Sequence, residues 1–420
     1  MSESQWSSAS SLTTKSNYIP SAEQAILTAS DKTAGNNFGW SVAISGDGSR
    51  VVIGSVYAAV GAYTQAGVAY IYIYSNGLWT QEAKLTASLN GTGNSFSYSV
   101  DINGDGSRVI CGVPFYDQIG ADTGRCFIFS RSGTTWTQEA ILDANDATSS
   151  ASFGYSVAIT TDASRCVIGA YTASPSGVTS AGKVYIFIRS GTTWSQEAML
   201  TASDKTTHDY FGSSVDIDST GTRIISSSPF ADPQGAQSSG KAYIFVRSGT
   251  TWSQEAVLGI GIAISSANFG YSVAMSSDGS RCIVGAWHAS YGSFTYCGRA
   301  LIFIRSGSTW TEESTIMASD IASYTAFGTS VSINSNGSIV GIGAASATIG
   351  AFSGAGAAYI FSRSGSTWSQ SAKVNASNRQ TNDYFGNSIA IDNSGTFLLV
   401  GNPYSDPGSV GNAGAAYIFS

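Results

Sequence analysis

The feature that most constrains the fold is a short motif, Phe-Gly-x-Ser-Val-x-Ile, that recurs along the chain at a nearly constant interval. The copies vary little; the second has Ser97 in place of Gly, and the last has Ile389 in place of Val. The seven copies begin at Phe38, Phe96, Phe153, Phe211, Phe269, Phe327 and Phe385. A fixed period of this length predicts one structural unit repeated along the chain.

Each repeat contains four segments with strand-like sequences, as the fourth copy shows. Residues 211–218 (FGSSVDID) and 223–228 (RIISSS) flank one tight turn, and residues 241–248 (KAYIFVRS) and 252–258 (WSQEAVL) flank another. The third segment alternates aromatic and aliphatic residues, so both of its faces are apolar and both need cover. Adjacent blades of a β-propeller supply that cover, and four short strands per repeat are typical of this architecture.

The two ends of the sequence together complete one repeat. The last copy stops at Ser420, just after its third segment, and so lacks a fourth strand. The segment EQAILTAS (23–30) matches the fourth-strand sequence QEAKLTAS (81–88). An N-terminal strand in the last blade would close the ring and leave no open sheet edge there.

These observations predict an all-β fold, a single seven-bladed β-propeller of four-stranded antiparallel blades over residues 21–420. The ring is closed by an N-terminal strand that completes the last blade. Residues 1–20 are predicted to form a flexible polar arm, although its Trp6 and Tyr18 could dock on another part of the protein. These residues lack the basic and apolar regions of a secretory signal. Only 11% of the residues are charged and 48 are Gly, which suits a turn-rich all-β protein.

The five cysteines are odd in number and show no metal-type CxxC spacing. They are Cys111, Cys126, Cys166, Cys282 and Cys297. The pairs 111/126 and 282/297 share the same spacing, but their offsets from the repeat start differ, so the pairs cannot both lie directly opposite in equivalent blades. We therefore predict free, buried thiols that pack as small hydrophobic groups.

Charge and motif content exclude several function classes. The net charge of −7 and pI near 4.8 disfavour nucleic acid as a partner. No apolar run is as long as a membrane-spanning helix requires, so membrane insertion is not expected. The two histidines, His208 and His288, fall in different repeats, and no nucleophile elbow, HExxH or Walker motif is present. We expect a protein that is not an enzyme.

Loop lengths divide the predicted propeller into two faces. The loops after the second and fourth strands are longer than the turns and vary among repeats. In a four-stranded blade these loops emerge on one face, which is therefore the candidate binding face. Its aromatic and acidic side chains either contact a protein or carbohydrate or pack the loops against the blades. These candidates are Tyr57, Tyr63, Phe115, Tyr116, Asp117, Tyr171, Phe230, Asp232, Trp287, Tyr291, Tyr404 and Asp406.

The opposite face collects half of the basic residues. They are Arg50, Arg108, Arg165, Arg223 and Arg281 after the first turn, and Arg131, Arg189, Arg247, Arg305 and Arg363 before the second. A ring of guanidinium groups could hold an acidic partner. We favour a structural role, in which each arginine stacks on a repeated tryptophan or pairs with Glu139, Glu197 or Glu255, because the pattern recurs in blade after blade.

These residues resemble the FG-GAP repeat family, whose propeller is also that of integrin α-subunit heads. The resemblance covers about residues 21–420 and rests on the Phe-Gly start, the SVAI strand and the end of the second strand. That end is Gly112-Val113-Pro114, Gly169-Ala170, Gly285-Ala286 and Gly401-Asn402-Pro403. The recurring RSGTTWSQEAxLTAS looks like a subgroup of the family found in large surface proteins.

The resemblance implies a calcium-binding loop between the first two strands, but this chain departs from that pattern. Each corresponding segment holds one or two carboxylates at most, whereas calcium takes six to eight oxygen ligands. The segments are 45–49, 103–107, 160–164, 218–222, 276–280, 334–338 and 392–396. Their Asp-Gly and Asn-Gly pairs suit a tight hairpin turn. We expect no metal and no cofactor.

Three functions remain open at this point. The first is a non-catalytic protein-binding or structural module that uses the variable loop face, as a surface, adhesion-like, virion or assembly component. The alternative is a lectin-like propeller that binds carbohydrate with the same aromatic residues. The third is a hydrolase or lyase with its site at the central channel. The resemblance implies an extracellular or cell-surface location, whereas a virion or assembly component would fit the missing secretory signal.

Overall fold

Each repeat folds into a meander of four antiparallel strands, because short polar turns separate its four apolar segments. A computed structural model describes residues 19–420 and arranges these strands in seven four-stranded sheets around a channel. Each sheet is one blade, with its first strand beside the channel and its fourth strand at the rim. The predicted all-β, seven-bladed β-propeller is confirmed.

The strands follow one another in a regular order. In chain order they are β1 (Glu23–Leu27), β2 (Phe38–Ile44), β3 (Arg50–Ser55), β4 (Val68–Ser75), β5 (Leu78–Leu85), β6 (Val100–Ile102), β7 (Arg108–Val113), β8 (Arg125–Ser132), β9 (Thr135–Leu142), β10 (Phe153–Ile159), β11 (Arg165–Ala170), β12 (Lys183–Ser190), β13 (Thr193–Leu200), β14 (Val215–Ile217), β15 (Arg223–Ser228), β16 (Lys241–Ser248), β17 (Thr251–Leu258), β18 (Phe269–Met275), β19 (Arg281–Ala286), β20 (Arg299–Ser306), β21 (Thr309–Ile316), β22 (Phe327–Ile333), β23 (Ile339–Ala344), β24 (Ala357–Ser364), β25 (Thr367–Val374), β26 (Ser388–Ile391), β27 (Leu398–Asn402) and β28 (Ala415–Phe419). Short 3-10 helices lie at Pro175–Gly177, Pro233–Gly235 and Pro407–Ser409.

Blades 1 to 6 are each built from consecutive strands, β2–β5, β6–β9, β10–β13, β14–β17, β18–β21 and β22–β25. Blade 7 consists of β26, β27 and β28 with β1 at its rim. There Leu27 of β1 lies opposite Ala416 of β28. Beyond the strand, Ala22 and Ser420 exchange two backbone hydrogen bonds of 3.2 and 3.0 Å. The predicted closure by the N-terminal strand is therefore confirmed.

The first strand of blade 4 is shorter than the sequence suggested. The expected strand 211–218 is reduced to Val215–Ile217. The residues before it still bond to the second strand, since the Gly212 N–H donates to the Ser227 carbonyl at 3.0 Å, but the pairing there is irregular. Blades 1 and 3 have a register shift at the equivalent point within a longer strand. The short first strand of blade 4 therefore reflects the same irregular pairing that blades 1 and 3 show as a register shift.

The predicted N-terminal arm falls mostly outside the described residues. Residues 1–18, with Trp6 and Tyr18, are not among residues 19–420. Ile19 packs against the hydrophobic cluster between blades 6 and 7, and Pro20 is buried. These two residues therefore belong with the propeller rather than with a segment that precedes it.

The hydrophobic core is divided into clusters that lie between neighbouring blades. Between blades 3 and 4, for example, Val167 and Ile186 pack against Phe211 and Tyr243. The rings of Phe211 and Tyr243 are 5.5 Å apart and nearly perpendicular. All seven motif phenylalanines are buried in such clusters. Each blade thus has both faces covered by its neighbours, as the sequence of the third strand predicts.

Backbone hydrogen bonds join neighbouring blades at the same places. The Phe211 N–H donates to the Ala181 carbonyl at 2.9 Å, across the junction of blades 3 and 4. Gly182, next in the chain, has a φ of +88°, and a Cβ there would lie 1.9 Å from the Phe211 carbonyl oxygen. Only glycine allows this close approach of two chains.

All five cysteines are buried and form no disulfide. Burial raises the pKa of the Cys111, Cys166 and Cys282 thiols, so they stay protonated at neutral pH. The prediction of free thiols that pack as small hydrophobic groups is confirmed.

Candidate functional site

The propeller has two faces of different character. The loops after the second and fourth strands of each blade form one face, here called the loop face. The turns after the first and third strands form the other, here called the short-turn face. This division follows from the antiparallel strand order of every blade.

An aromatic arc borders the channel mouth on the loop face. It is built on the variable residue that follows Phe-Gly in the motif, which is Trp40, Tyr98, Tyr155, Ser213, Tyr271, Thr329 and Asn387 in blades 1 to 7. The ring of Trp40 lies 5.6 Å from that of Tyr98, and Tyr98 lies 5.0 Å from Tyr155. Side chains that are one full repeat apart in sequence are thus neighbours in space.

Several predicted binding residues extend this arc outward. Tyr57 contacts Trp40 (6.1 Å between ring centroids), Phe115 contacts Tyr98 (5.5 Å) and Tyr171 contacts Tyr155 (3.9 Å). Tyr171 is followed by Tyr210 at 5.4 Å, and Tyr210 by Phe230 at a further 5.4 Å. The arc therefore runs without a break in ring contacts from blade 1 to blade 4.

A second group of rings lies over blades 5 to 7. Trp287, another predicted residue, contacts Tyr271 and stacks on His288 at 3.6 Å, and His288 stacks on Tyr296. Trp287 lines a cavity of about 450 Å³, and its buried indole N–H has no hydrogen-bond partner among residues 19–420. In blade 7 the predicted Tyr404 packs against Tyr384 at 5.4 Å.

The remaining six predicted residues lie away from the arc. Each of the three acids accepts a backbone hydrogen bond inside its loop, Asp117 from Asp122 (2.8 Å), Asp232 from Ser238 (2.6 Å) and Asp406 from Asn412 (2.7 Å). Of the three tyrosines, Tyr116 lies against Arg125 and Tyr291 against Arg299, while the backbone of Tyr63 forms a small hairpin with Val60 and its ring is exposed. For the three acids, Tyr116 and Tyr291, the loop-packing interpretation fits the observed contacts, whereas the exposed ring of Tyr63 remains a candidate for binding.

The sequence analysis missed the inner part of the arc. Trp40, Tyr98 and Tyr155 occupy the variable third position of the inner-strand motif, which is otherwise nearly constant among the repeats. The signal that could have found them is a variable, aromatic residue inside an otherwise fixed motif. Tyr210 and Tyr384, which directly precede the motif, were also missed.

Burial keeps the inner tyrosines neutral. It raises the pKa of Tyr155 to about 12, with a further increase from the nearby Tyr271 and Tyr171. Burial also raises the pKa of Tyr98 and of Tyr271. Near neutral pH these hydroxyl groups therefore carry no charge and can both donate and accept hydrogen bonds.

The short-turn face is held together by a repeated Arg-Glu-Trp unit. In blade 1, Arg50 makes two hydrogen bonds of 2.9 Å to Glu82, and Trp136 of blade 2 donates its indole N–H to the same carboxylate at 2.9 Å. Burial would raise the pKa of Glu82, but the bonds from Arg50 and Trp136 outweigh it and hold the pKa below its ordinary value. Each unit thus joins two blades.

The unit occurs five times around the ring. Its members are Arg50–Glu82–Trp136, Arg108–Glu139–Trp194, Arg165–Glu197–Trp252, Arg223–Glu255–Trp310 and Arg281–Glu313–Trp368. Two of the arginines that precede the second turn also form ion pairs with glutamates of the preceding blade. Arg247 pairs with Glu197, and Arg305 pairs with Glu255. The other three, Arg131, Arg189 and Arg363, donate to backbone carbonyls of the turns. All ten arginines therefore have partners within the protein.

The predicted pairing with Glu139, Glu197 and Glu255 is confirmed, but the predicted stacking of arginine on tryptophan is wrong. Within residues 19–420 the cation–π contacts involve tyrosine rings only. The indole N–H groups point at the glutamates instead, because a nearly buried carboxylate needs several donors. Glu82 and Glu313, which the sequence analysis did not name, complete the set.

Where the arginine of the unit is absent, the glutamate is replaced too. In blade 6 the Arg and Glu positions are Ile339 and Ser371, and the Trp position of blade 7 is Ser21. In blade 7 the Arg position is Phe397 and the Glu position is Gln24, whose side-chain carbonyl still accepts from Trp79 at 3.2 Å. The charged pair is thus missing as a whole from both blades.

Two aspartates line the central channel. Asp101 accepts backbone hydrogen bonds from its own neighbour Ile102 and from Ile159 of the next blade, both at 2.8 Å. Asp216 accepts in the same way from Ile217 and from Met275 of the next blade. Burial raises the pKa of each to about 7, and for Asp101 the charge of Asp216 adds to the increase. Each carboxylate thus links two inner strands.

The carboxylates of the first turns are engaged in closing those turns. Asp47, Asp105, Asp162 and Asp278 each accept a hydrogen bond from the backbone N–H two residues later, at 2.8 to 2.9 Å. A single carboxylate whose oxygens already serve the turn does not supply the six to eight oxygen ligands that calcium takes. The donor set of these turns does not fit a calcium site.

Comparison with known families identifies the repeat. The FG-GAP repeat model matches residues 22–72, 79–129, 136–187, 194–245, 310–361 and 368–419. These segments cover well over half of the chain. The chain belongs to the FG-GAP repeat family. Each matched segment spans the fourth strand of one blade and the first three strands of the next, which is the same offset that closes this FG-GAP ring through β1.

The structure adds a seventh unit to the six that the family model matches. Residues 246–309 are not matched, yet they contain β17 to β20, which pair in the same order as in the other blades of this FG-GAP propeller. No curated protein matches the chain. In the part of the chain that the structure describes, no helix is long and apolar enough to cross a bilayer. A protein-interaction or structural role is the general one for such a propeller.

Proposed function

We propose that this FG-GAP propeller is a non-catalytic protein-binding module that docks its partner on the loop face. The observation that supports this most is the aromatic arc around the channel mouth, with Tyr57 and Phe230 exposed at its outer edge (37% and 42%). Large exposed rings on a rigid scaffold are the side chains that anchor protein partners. Such a module suits a surface, adhesion-like, virion or assembly component.

The short-turn face supports the proposal by contrast. Its ten arginines are paired with carboxylates or turn carbonyls of the same protein, as described above, so recruiting them for an acidic partner would break internal contacts. A buried ion pair that loses one partner costs about 3–5 kcal/mol. Binding a partner at the exposed rings of the loop face would break no ion pair. The loop face is therefore the better docking surface.

The test compares two surface variants in partner capture. The loop-face variant carries Tyr57→Ser, Phe230→Ser and Tyr404→Ser, and the control carries Leu78→Ser, which changes a 67% exposed residue on the short-turn face. Proteins cross-linked to each bait in extracts of the native source are identified by mass spectrometry. We expect the native protein and the control to capture the same partner, and the loop-face variant to lose it. Equal capture by all three would refute docking on this face.

The channel aspartates are the observation that bears on a hydrolase or lyase. We propose that Asp101 and Asp216 are structural, because each carboxylate already accepts two backbone hydrogen bonds. Blade 6 supports this, since Ser332 at the same position accepts the Ile391 N–H at 3.1 Å without a carboxylate. A hydrolytic activity of the native protein that disappeared in the Asp101→Ser/Asp216→Ser variant would contradict the proposal.

We also propose that the module works without bound calcium or another cofactor. The turn carboxylates that would bind calcium in the family pattern are used to close their turns. A ligand that binds only the folded state raises the melting temperature. We therefore expect the same melting temperature in excess EDTA and in millimolar calcium, measured by differential scanning calorimetry. A clear rise with calcium would show that the turns bind the ion.

A further inference from the structure

In blade 4, the inner-strand position on which the aromatic arc is built has no aromatic side chain. Ser213 occupies the position held by Tyr98 in blade 2 and Tyr155 in blade 3. Beside Ser213 lies a cavity of about 670 Å³ that opens on the loop face. This volume is within the range of about 300–1,000 Å³ found for small-molecule sites. The small side chain thus leaves a space that residues of blades 3, 4 and 5 surround.

We propose that this cavity, here called the blade-4 pocket, binds a neutral sugar ring. The proposal concerns a separate ligand class and does not depend on the protein partner proposed above. It rests on three observations, which are the aromatic rings of the lining, the hydroxyl groups of the lining, and the absence of charged side chains from it.

Aromatic rings form most of the pocket wall. Tyr155 and Tyr171 lie 3.9 Å apart with their planes inclined by 32°, and Tyr171 is followed by Tyr210 at 5.4 Å. Phe230 stands nearly perpendicular to Tyr210, and Tyr271 also lines the pocket. The negative face of an aromatic ring attracts the weakly positive C–H groups on one face of a pyranose. Such a wall suits a flat, partly apolar ligand.

The lining of the pocket also contains hydroxyl groups. Ser213 donates its hydroxyl hydrogen to the Tyr210 carbonyl at 2.7 Å, and Thr172 donates to Ser152 at 3.0 Å. Because a hydroxyl oxygen has two lone pairs, both side chains keep acceptor capacity. The tyrosine hydroxyls of the lining can donate as well as accept. A sugar carries hydroxyl groups around its edge and needs both kinds of partner.

The pocket lining contains no charged side chain. An anionic ligand would therefore find no cation, and a quaternary ammonium ion would find no carboxylate in direct contact. A carboxylate or a quaternary ammonium ion also has no hydrogen-bond donor for the acceptor lone pairs that Ser213 and Thr172 keep. A neutral polyhydroxylated ring satisfies both the aromatic faces and the hydroxyl groups.

The repeat supplies the variant that tests the pocket. Ser213→Tyr places in blade 4 the residue that blade 2 has at this position. The backbone is suited to it, because the Tyr98 N–H donates to the Ser95 carbonyl at 3.1 Å just as the Ser213 N–H donates to Tyr210. The substitution should fill the pocket without removing a wall and without lowering the melting temperature. A second variant, Phe230→Ala, removes part of the wall.

The experiment measures binding of the methyl glycosides of glucose, galactose, mannose and N-acetylglucosamine. Saturation-transfer NMR on the native protein should show transfer to the C–H protons of one sugar face, and titration calorimetry should give the affinity. We expect Ser213→Tyr and Phe230→Ala to weaken binding at least tenfold. Phe352→Ala, which truncates an equally exposed ring on blade 6 (39% against 42%), should leave the affinity unchanged.

Three outcomes would overturn the proposal. The first is that the native protein shows no saturation transfer to any of the four glycosides. The second is that sugar binding survives Ser213→Tyr at full strength. The third is that tetramethylammonium or a proline-rich peptide, and no sugar, binds in a manner sensitive to Ser213→Tyr. Partner capture by the Ser213→Tyr variant, measured separately, distinguishes failure here from failure of the protein-docking proposal.

Discussion

Single residues in this propeller depend on partners in the next blade. Glu82 accepts hydrogen bonds from Arg50 of its own blade and from Trp136 of the following one. An isolated charge in such a nearly buried place is far more costly than an apolar residue. Blade 6 agrees with this, because Ile339 and Ser371 replace the charged pair together. The repeats therefore differ by whole interacting groups rather than by single side chains.

This dependence predicts a non-additive effect on stability. Glu82→Ala leaves the Arg50 guanidinium without its carboxylate, and we expect a loss of about 3–5 kcal/mol in the free energy of unfolding. The double variant Arg50→Ile/Glu82→Ser reproduces the blade 6 pair and should lose less than the single variant. Urea unfolding of the three proteins checks this. A double variant as unstable as Glu82→Ala, or more so, would speak against the explanation.

The channel aspartates predict how stability depends on pH. Their pKa is raised to about 7 in the folded protein, above the value of about 3.9 in an unfolded chain. The folded state therefore binds more protons than the unfolded state between these values, and stability falls as pH rises from about 4 to about 7. The slope approaches about −1.4 kcal/mol per pH unit for each group.

The control for this effect is the Asp101→Ser/Asp216→Ser variant, which copies Ser332 of blade 6. Urea unfolding at pH 5 and at pH 8 should show a larger loss of stability in the native protein than in the variant. Other titrating groups affect both proteins alike, so the difference reports the two aspartates. An identical pH dependence in both would show that these carboxylates do not titrate in this range.

At the scale of elements, the rim strand β1 carries the closure of the ring. It is the outer strand of blade 7, and its Leu27 and the following Ala29 are buried between blades 7 and 1. Without it, β28 would be left with an open edge and the cluster with fewer apolar contacts. The sequence predicted this strand correctly because its residues match the fourth strands of the other blades.

Deleting β1 is therefore expected to destabilise the whole ring. Removal of residues 1–30 should lower the melting temperature by about 10 °C or more, since it eliminates a buried strand of a cooperative structure and costs several kcal/mol. Removal of residues 1–18 alone is the matched control and should leave the melting temperature nearly unchanged. Thermal unfolding followed by circular dichroism gives both values. Equal melting of the two truncated proteins would contradict closure through β1.

At the scale of the whole molecule, the sequence predicted the fold far better than the binding face. A long period repeated seven times carries long-range information, because each copy specifies the same blade and the same contacts with its neighbours. The binding face depends instead on the residues that differ between copies. Trp40, Tyr98 and Tyr155 meet only because the ring brings equivalent positions of successive blades together. Their convergence can be seen only when ring closure and loop paths are known.

The backbone pairing of Ser420 with Ala22 has a consequence for how the chain can be connected. Ser420 and Ala22 face each other as Ser130 and Thr137 do within blade 2, where the hairpin segment 131–136 (RSGTTW) joins them. A copy of that segment placed between Ser420 and Ala22 would make the backbone continuous. New ends opened at any other hairpin, such as the one at Asn76, would then give a circular permutant with the same seven blades. The ring has no privileged starting point.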